Sequence, residues 1–511
     1  MAKEPSWLAR TEQGEVEKGE MAVTTTPFDN KMKVAIVGTG MAGLATGYLL
    51  RQDELQRYSV TLFEKASRQI LLPSVMLELI GDHISLDAAS VTLMDDRDGT
   101  CSRVDLPLRA FAGGFYKNLI AMYDHLGIRY HAKHFLFAFS DVSQHGRRTD
   151  DEKLPPSKPL AESPYFIHSS NNHRILPVRP PGADAIGHLL ETVFVLACYA
   201  WFSLCCFLVE PRASESYEAY LKRTRVPRRF VHRYLVPLMS SVATCSHEEL
   251  LASPASDLTG YQRQGFGRDH FVVSHGVQDV VSVLSAGQDI RLSSEVLRVE
   301  PCGSRVRLVW KTGTGASLAK EEDIFDRIVL AIDPGAVAKV YAPLRSTMAC
   351  IPTRIVECAV LQGADEPTEL RVTEHSYKQH DTAGIDAQVA DTLLLRSQFT
   401  GAGCTEALHT VSCGAVVATS IAGGFDHLEP LHRAAFWRVL RTPESREAVN
   451  RVTSKRSTKP DEYAGWRNGD DGVWLAGGWC WVGMVLLEGC VVSAVRVAQD
   501  FGVRVPWDSQ S

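Results

Sequence analysis

The 511-residue sequence has neither a dominant charge of one sign nor a paired cysteine motif. Its 54 basic and 60 acidic residues give a net charge of −6, without the basic excess that nucleic acid requires, so we expect no nucleic-acid partner. None of the 12 cysteines forms a C-x-x-C pair, which favours a reduced, intracellular chain over a disulfide framework. The 17 histidines show no metal-ligand spacing, so no metal site is expected.

Long apolar runs are also scarce. Residues 1–30 lack the apolar core of a signal peptide, so we expect a disordered arm and a cytoplasmic protein. The exception is Thr192–Val209, 18 residues without a charge. A helix of this length measures about 27 Å, near the minimum for a bilayer core. The favoured interpretation is a buried helix. The alternatives are a helix that contacts a membrane peripherally, beside an apolar substrate entrance, and a true membrane span.

A strand, a glycine-rich turn and a helix follow one another near the start of the sequence. The apolar run Lys33–Val37 leads directly into the motif GTGMAG, and a helical pattern continues to Gln52. Gly38 permits the tight turn, Gly40 lets the backbone approach a pyrophosphate, and Gly43 allows close packing of helix on strand. The helix N-terminus then presents free N–H groups to the phosphates. This arrangement predicts a dinucleotide site.

An acidic residue completes the motif at the end of the next strand. Glu64 follows the apolar run Ser59–Phe63 and can accept hydrogen bonds from a ribose. An acid here argues against a 2′-phosphate, but it does not separate NAD from FAD. The segments Gly472–Trp479 and Glu488–Ala494 predict a second strand, glycine turn and helix near the C-terminus. A helix N-terminus there suits the pyrimidine end of a flavin, which favours FAD.

Several segments together resemble the flavin-containing amine oxidase superfamily, which includes phytoene-desaturase-like enzymes. The segments are VAIVGTGMAGLATGYLL, VDLPLRAFAGGFYKNLIAMYDHLGI, DRIVLAIDP and LAGGW with LLEGCVVSAVRVA. The nearest likeness is to a fungal-type branch. The resemblance implies an α/β fold in which a discontinuous Rossmann-type FAD-binding domain carries an inserted α+β substrate domain. The expected FAD-binding parts are 31–125, 265–345 and 465–505, and the expected substrate parts are 126–264, which includes the apolar helix 192–209, and 346–464.

The resemblance also implies which residues bind FAD. The implied contacts come from Gly38, Gly40, Met41, Ala42 and Gly43 to the pyrophosphate, Glu64 to the adenosine ribose, Arg68 near the phosphates, Val296 at the adenine, and Gly477, Glu488 and Gly489 at the flavin. Residues 69–84 interrupt the family pattern after the ribose acid. They are either a genuine insertion or a gene-model artefact.

The expected reaction is hydride transfer from a C–N or C–C bond of an apolar organic substrate, a lipid or secondary metabolite, to the flavin, with O2 as a candidate re-oxidant. Many amine oxidases place a lysine near the flavin, but Ile351–Cys358 contains none, which favours dehydrogenation or desaturation. The alternatives are a flavin-free, NAD-dependent dehydrogenase and a non-catalytic nucleotide-binding paralogue.

Four side chains are candidates for the substrate side. Trp479 and Trp481 would wall an apolar substrate, with packing in the core as the structural alternative. Arg109 would stabilise the reduced flavin or a substrate carboxylate, with an ordinary salt bridge as its alternative. Tyr116 would donate a hydrogen bond to a carbonyl, with a half-buried structural tyrosine as its alternative. Cys480 is interpreted as a buried structural cysteine, with a covalent flavin link as the alternative.

The apolar patterns predict several further elements. Apolar runs and alternation predict a buried strand at Arg327–Ile332, and an antiparallel pair formed by Ile290–Val299 and Arg305–Lys311. Leu431–Leu440 and Cys490–Gln499 are predicted to be helices.

Overall fold

A computed structural model describes residues 31–65, 90–94, 101–107, 109–141, 164–169, 176–313, 319–361, 370, 373, 391–399, 403–410, 415–421, 430–454 and 465–507. The strands are β1 (Met32–Val37), β2 (Tyr58–Phe63), β3 (Val91–Met94), β4 (Cys101–Val104), β5 (Phe111–Ala112), β6 (Tyr130–Ala132), β7 (Phe135–Asp141), β8 (Phe166–Ser169), β9 (His270–Val273), β10 (Asp289–Arg291), β11 (Ser294–Cys302), β12 (Arg305–Thr312), β13 (Ala319–Phe325), β14 (Arg327–Leu330), β15 (Thr353–Leu361), β16 (Asp391–Gln398), β17 (Cys404–Thr410), β18 (Val416–Ser420), β19 (His432–Val439) and β20 (Val473–Leu475). The helices are α1 (Met41–Arg51), α2 (Lys117–Leu126), α3 (Ala185–Leu208), α4 (Tyr217–Arg223), α5 (Arg228–Phe230), α6 (Val236–Ala243), α7 (His247–Ala252), α8 (Ala255–Gly265), α9 (Val277–Ser285), α10 (Pro334–Val340), α11 (Arg345–Ala349), α12 (Pro443–Thr453) and α13 (Leu487–Asp500). A π-helical turn, Val231–Leu235, joins α5 to α6.

A parallel sheet with the strand order β10-β2-β1-β14-β20 forms one half of the fold. Its central strand β1 is apolar and fully buried from Val34 to Ile36, as expected for a parallel sheet covered on both faces. The predicted strands Ser59–Phe63 and Arg327–Ile332 are confirmed as β2 and β14. The mixed α/β fold class is thereby confirmed. In such sheets a ligand binds at the carboxyl ends of the strands, where the strand order reverses.

The predicted antiparallel pair is present, with one difference. Strands β11 and β12 pair from Ser294 opposite Thr312 to Cys302 opposite Arg305, and β13 adds a third strand. The predicted strand Ile290–Val299 is in fact divided, because β10 belongs to the parallel sheet and pairs with β2. The division lies at Ser293, whose backbone has a φ of 51°. A left-handed residue there turns the chain from one sheet into the next.

A seven-stranded sheet with the order β19-β15-β18-β17-β16-β7-β8 forms the other half of the fold. The prediction of a helix at Leu431–Leu440 is wrong, because His432–Val439 is the edge strand β19, antiparallel to β15. Inward-facing Phe436 and outward-facing Trp437 are neighbours, and exposure alternates residue by residue along the strand. Alternation of exposed and inward-facing side chains with a period of two is typical of a strand, whereas the spacing of the apolar residues in the sequence predicts a helix. By contrast, the helix predicted at Cys490–Gln499 is confirmed as part of α13.

A small sheet connects the two halves. Its strand order is β5-β9-β6, with Phe111 opposite Phe271 and Tyr130 opposite Val273. Helix α2 follows β5 and packs on α13, which in turn packs on α1. Helix α2 ends at Gly127, whose φ of 68° is a left-handed conformation typical of helix C-termini. The N-termini of α1, α2 and α13 are brought into one region by this packing.

Helix α3 contains the long apolar run and lies at the surface. The prediction that Thr192–Val209 is a buried helix is wrong for the outer side of the helix, which is exposed. The inner side, which includes Cys198, Phe202 and Cys206, is buried. Gln262 of α8 donates hydrogen bonds to Tyr199 at 3.0 Å and Ser203 at 3.2 Å on that inner side. In the described residues, α3 is long and apolar enough to cross a membrane by length and composition alone.

Candidate active site

The glycine turn after β1 has the geometry that its sequence predicts. The N–H of Gly38 donates to the carbonyl of Phe63 at 2.8 Å, which places the turn against the end of β2. Gly38 has a φ of 100°, and a Cβ there would lie 2.6 Å from the carbonyl oxygen of Ala331. A Cβ on Gly43 would overlap the carbonyl oxygen of Gly38. Both positions therefore require glycine for the turn and the helix to meet.

Gly40 has the opposite surroundings. It precedes α1 as the N-terminal cap, in an extended conformation, and a Cβ added to it would meet no atom within 4 Å. Gly40 thus borders open space at the N-terminus of α1, while the adjoining Met41 and Ala42 are buried. A helix N-terminus that faces open space is a site for a phosphate group. The residues of this turn therefore fit a dinucleotide pyrophosphate.

Glu64 lies at the end of β2, where the ribose acid is expected. Its carboxylate accepts hydrogen bonds from the N–H of Thr39 at 3.1 Å and the hydroxyl of Thr39 at 2.7 Å. The backbone of Glu64 also receives a hydrogen bond from the N–H of Ser294 at 2.8 Å, which places the start of β11, and so Val296, beside it. Arg68 and residues 69–84 lie outside the described residues.

The C-terminal glycines form a second turn at the end of β20. The N–H of Gly477 donates to the hydroxyl of Ser493 on α13 at 2.9 Å, which fixes the turn to that helix. The indole of Trp481 covers Gly489 so closely that a Cβ there would overlap it. The indole N–H of Trp481 donates to the carbonyl of Met484 at 3.0 Å. Trp481 is therefore held in place over the first turn of α13.

The carboxylate of Glu488 is used within the protein. It accepts hydrogen bonds from the N–H of Asn118 at 2.9 Å, the side-chain amide of Asn118 at 2.7 Å and the N–H of Leu119 at 3.0 Å. These N–H groups belong to the first turn of α2 and have no partner within the helix. Burial raises the pKa of Glu488, while these hydrogen bonds oppose the rise. Glu488 thus caps α2 and joins it to α13.

An aromatic cluster lines the region where the three helices begin. Phe115 lies 5.0 Å from Tyr116, 4.8 Å from Tyr261 and 5.8 Å from Trp481, measured between ring centres. The contacts are edge-to-face, a favourable arrangement for aromatic rings. Tyr116 is buried, and this burial raises the pKa of its hydroxyl well above the ordinary value. Tyr116 is therefore a neutral hydrogen-bonding group.

The other predicted members of the site lie at different depths. Trp479 is buried in the hydrophobic core, and its indole N–H donates to the carbonyl of Ile332 at 3.2 Å. Its contacts correspond to core packing, the structural alternative considered for it. Cys480 is buried in the same core, and burial raises the pKa of its thiol well above the ordinary value. Arg109 is half-buried and acts electrostatically on Tyr123 and Cys490.

Cys490 is a residue of the site that the sequence reasoning did not select. Its thiol is close to the backbone N–H groups of Ala42 on α1 and Gly478 in the C-terminal turn, and burial raises its pKa to about 11. The two glycine motifs, far apart in sequence, therefore meet at Cys490. Its position directly after Glu488-Gly489, on the first turn of α13, was the available signal.

A buried arginine was also missed. Arg441 donates to the carbonyl of Trp479 at 2.7 Å and to the carbonyl of Gly483 at 2.5 Å, and it pairs with Asp257 of α8 at 3.3 Å. It therefore fastens the loop that carries Trp481 to the helices of the other half. Arg446 shares the same carboxylate at 3.1 Å.

Comparisons with known proteins agree with this geometry. Residues 36–69 match the family described as NAD(P)-binding Rossmann-like domain, and residues 179–350 match the family described as flavin containing amine oxidoreductase. No curated protein matches the chain. Among solved structures, the CLA-producing fatty acid isomerase from P. acnes is similar with a TM-score of 0.55 and 12% identity, over 92% of this chain and 99% of that one. A putrescine oxidase triple mutant with redesigned cofactor binding has a TM-score of 0.49 and 12% identity, over 93% and 99%.

The two family matches confirm the resemblance to flavin-containing amine oxidases that the sequence motifs predict. The chain is an FAD-dependent oxidoreductase with a Rossmann-type nucleotide-binding fold. FAD is confirmed as the cofactor, which argues against the flavin-free dehydrogenase. The open space beside Gly40 and the two helix N-termini that meet at Cys490 fit such a cofactor.

Proposed function

We propose that this oxidoreductase oxidises an apolar organic substrate at a C–N or C–C bond. The observation that carries the proposal is the aromatic cluster of Phe115, Tyr116, Tyr261 and Trp481 at the start of α13. Bound FAD supplies the hydride acceptor for this chemistry. The aromatic side chains bind the apolar part of the substrate and exclude water from the reacting bond. Strand β15 contains no lysine, which favours dehydrogenation over amine oxidation.

The cofactor contacts and the domain division are part of the same proposal. The hydroxyl of Tyr116 would donate a hydrogen bond to a polar group of the substrate. The parallel sheet and the seven-stranded sheet support the proposed discontinuous division into an FAD-binding part and a substrate part. The residues proposed to contact FAD among those described are Gly38, Gly40, Met41, Ala42, Gly43, Glu64, Val296, Gly477, Gly489 and Glu488, the last through its backbone because its carboxylate caps α2.

The first experiment measures the visible absorbance of the purified protein, together with chromatography of what acid releases. We expect a flavin spectrum and released FAD. In Gly40→Ala the new methyl group enters the open space, so we expect weakened FAD binding with little change in apoprotein stability. Gly260→Ala is the matched control, because a Cβ at Gly260 of α8 also meets nothing within 4 Å. A colourless wild-type protein that takes up no added FAD would refute the flavin part of the proposal.

The substrate class is then tested by anaerobic bleaching of the flavin absorbance. We expect bleaching by apolar compounds with an oxidisable C–N or C–C bond. Full turnover on small hydrophilic amines alone contradicts the apolar substrate class. O2 as the re-oxidant is tested by admitting air after bleaching, which should restore the flavin spectrum and form hydrogen peroxide.

We further propose that the outer face of α3 contacts a lipid surface, through which an apolar substrate arrives. The exposed residues of this face are all uncharged: Ile186, Leu189, Leu190, Val193, Leu196, Trp201, Leu204, Phe207 and Leu208. Exposed arginines border the face. The indole N–H of Trp201 donates to the carbonyl of Thr224 at 3.0 Å, next to the exposed Arg225. Arg229 lies over the ring of Phe194 and pairs with Glu191 of the same helix. An apolar face edged by basic residues is typical of peripheral binding to anionic lipids.

Sedimentation with vesicles of anionic phospholipid tests this contact. Leu190→Glu should reduce the vesicle-bound fraction, because it buries a charge in the lipid interface. Leu55→Glu is the control, since Leu55 has a similar exposure of 68%, against 66% for Leu190, but lies outside α3. Equal sedimentation of wild type and Leu190→Glu would contradict the lipid contact.

A further inference from the structure

Arg438 is a cationic side chain on the inner face of the seven-stranded sheet. It lies on β19 and points to the same side as Phe436, whereas Arg433 and Trp437 point outward and are exposed. Its Nε donates a hydrogen bond to the carbonyl oxygen of Ala243 at 2.9 Å. Ala243 is the last residue of α6, so the arginine is held by a helix C-terminus. This contact fixes the orientation of the guanidinium and does not neutralise its charge.

Neighbouring arginines have carboxylate partners. Arg354, opposite Arg438 on β15, donates two hydrogen bonds to Glu249 at 2.8 and 2.6 Å. Arg441, three residues further along, pairs with Asp257 at 3.3 Å. Within the described part of the chain, Arg438 forms no ion pair. A guanidinium taken out of water without a counter-charge is unfavourable, and an anion that reached it would be bound strongly.

The surroundings of Arg438 are those of the candidate active site. Its charge acts on the hydroxyl of Tyr116 and on the thiol of Cys490, and burial lowers the pKa of the guanidinium itself. Cys490 is the residue beside the backbone of Ala42 and Gly478 at the two cofactor helices. Arg109 acts on the same thiol. The guanidinium of Arg438 therefore faces this region, while the carboxylate of Glu488 is used in capping α2.

This distribution of charge bears on the kind of substrate. A protonated amine would be repelled by Arg438, whereas an anionic group would gain a counter-charge. The planar guanidinium presents its terminal nitrogens in a geometry that matches a carboxylate. Phe436 lies on the same face of the strand, where it packs against an apolar cluster. The combination suits a molecule with an acidic head and an apolar body.

We propose that Arg438 binds the carboxylate of an apolar acid and so determines the substrate class of the active site. The proposal rests on the proposed function, because it places that carboxylate in the same apolar site. Tyr116 would donate a hydrogen bond to the same head group. Arg438 is thus a specificity-determining residue, and the aromatic cluster binds the remainder of the molecule.

Calorimetric titration of the FAD-loaded protein tests this with three probes of equal chain length: decanoate, 1-decanol and decylamine. We expect the Kd of decanoate to be lower than the Kd of the other two probes by a factor of about ten or more, because one charge-assisted hydrogen bond changes affinity by about that factor. Arg438→Gln should remove the preference for decanoate and leave the binding of 1-decanol unchanged. Arg433→Gln, on the outer face of the same strand, is the matched control and should retain the preference.

The proposal is overturned by equal binding of the three probes, by equal weakening of decanoate and 1-decanol in Arg438→Gln, or by equal loss of the preference in Arg433→Gln. If Arg438 instead serves the reduced flavin, Arg438→Gln lowers the flavin reduction potential while decanoate binding persists, which also overturns it. Failure of the proposed function is distinguishable, because it would appear as absence of flavin from the wild-type protein or as absence of binding by all three probes.

Discussion

The role of Glu488 gives the sharpest test of the structure, because its sequence position suggests a flavin contact while its carboxylate caps α2. Replacing it by alanine removes three hydrogen bonds to Asn118 and Leu119. A hydrogen bond to a charged group contributes about 1.5–3 kcal/mol, and bonds that share one acceptor are not additive. We therefore expect Glu488→Ala to lower the free energy of unfolding by about 3–5 kcal/mol. Glu488→Gln retains one acceptor oxygen and should cost about 1–3 kcal/mol.

The assay is urea unfolding of the FAD-free protein, followed by tryptophan fluorescence. Glu218→Ala is a suitable control, because Glu218 forms an exposed pair with Lys222 at 2.6 Å, and such pairs contribute about 1 kcal/mol or less. The structural role predicts that Glu488→Ala destabilises the protein whether or not FAD is bound. If the FAD-free variant unfolds like wild type and only FAD affinity falls, the capping role is refuted and a direct flavin contact is supported.

Gly43→Ala should prevent formation of the FAD-loaded protein, because the new methyl group would overlap the carbonyl of Gly38; a normal flavin spectrum in this variant would show that α1 can move away. Burial lowers the pKa of His247 to about 4, so the fold favours its neutral form. The contribution of His247 to the free energy of unfolding is therefore fully present above about pH 6.5 and should be lost as the pH falls towards 4. His247→Gln should reduce the fall in Tm between about pH 7.5 and about pH 5, and an unchanged fall assigns the acid sensitivity elsewhere. Arg441→Met should cost about 3 kcal/mol in urea unfolding because it removes a partner of buried Asp257, and a loss below about 1 kcal/mol would mean that the remaining contacts compensate.

The cofactor half of the site could be predicted from the sequence because its determinants are local. A strand, a glycine turn and a helix within about thirty residues specify one arrangement of backbone. The position of Glu64 at the end of the next strand could be predicted from the same local unit. The substrate half could not be predicted in this way, because Cys490 and Arg438 become neighbours only when distant sheets and helices pack. Arg438 was further concealed by the wrong helix prediction at Leu431–Leu440, which removed the alternation that shows which side chains face inward.

The apolar helix shows a different limitation. Composition establishes that Thr192–Val209 forms a helix, and α3 confirms it. Composition does not establish which side is covered, because both sides of the helix are apolar. The inner side is distinguished only by its contacts with α8, where Gln262 reaches Tyr199 and Ser203.

The parallel sheet has a consequence for how the protein is made. Its strands β1 and β2 are synthesised first, β10 and β14 follow more than two hundred residues later, and β20 is completed only at Leu475. During synthesis, β1 and β2 therefore have strand edges without partners until β10 and β14 have emerged from the ribosome, and the sheet is complete only when nearly the whole chain has emerged. Pairings between such distant segments form slowly, and exposed edges during the wait favour aggregation. Production of active protein should consequently depend on translation rate and temperature, and C-terminal truncation before Leu475 should yield chains that neither fold nor bind FAD.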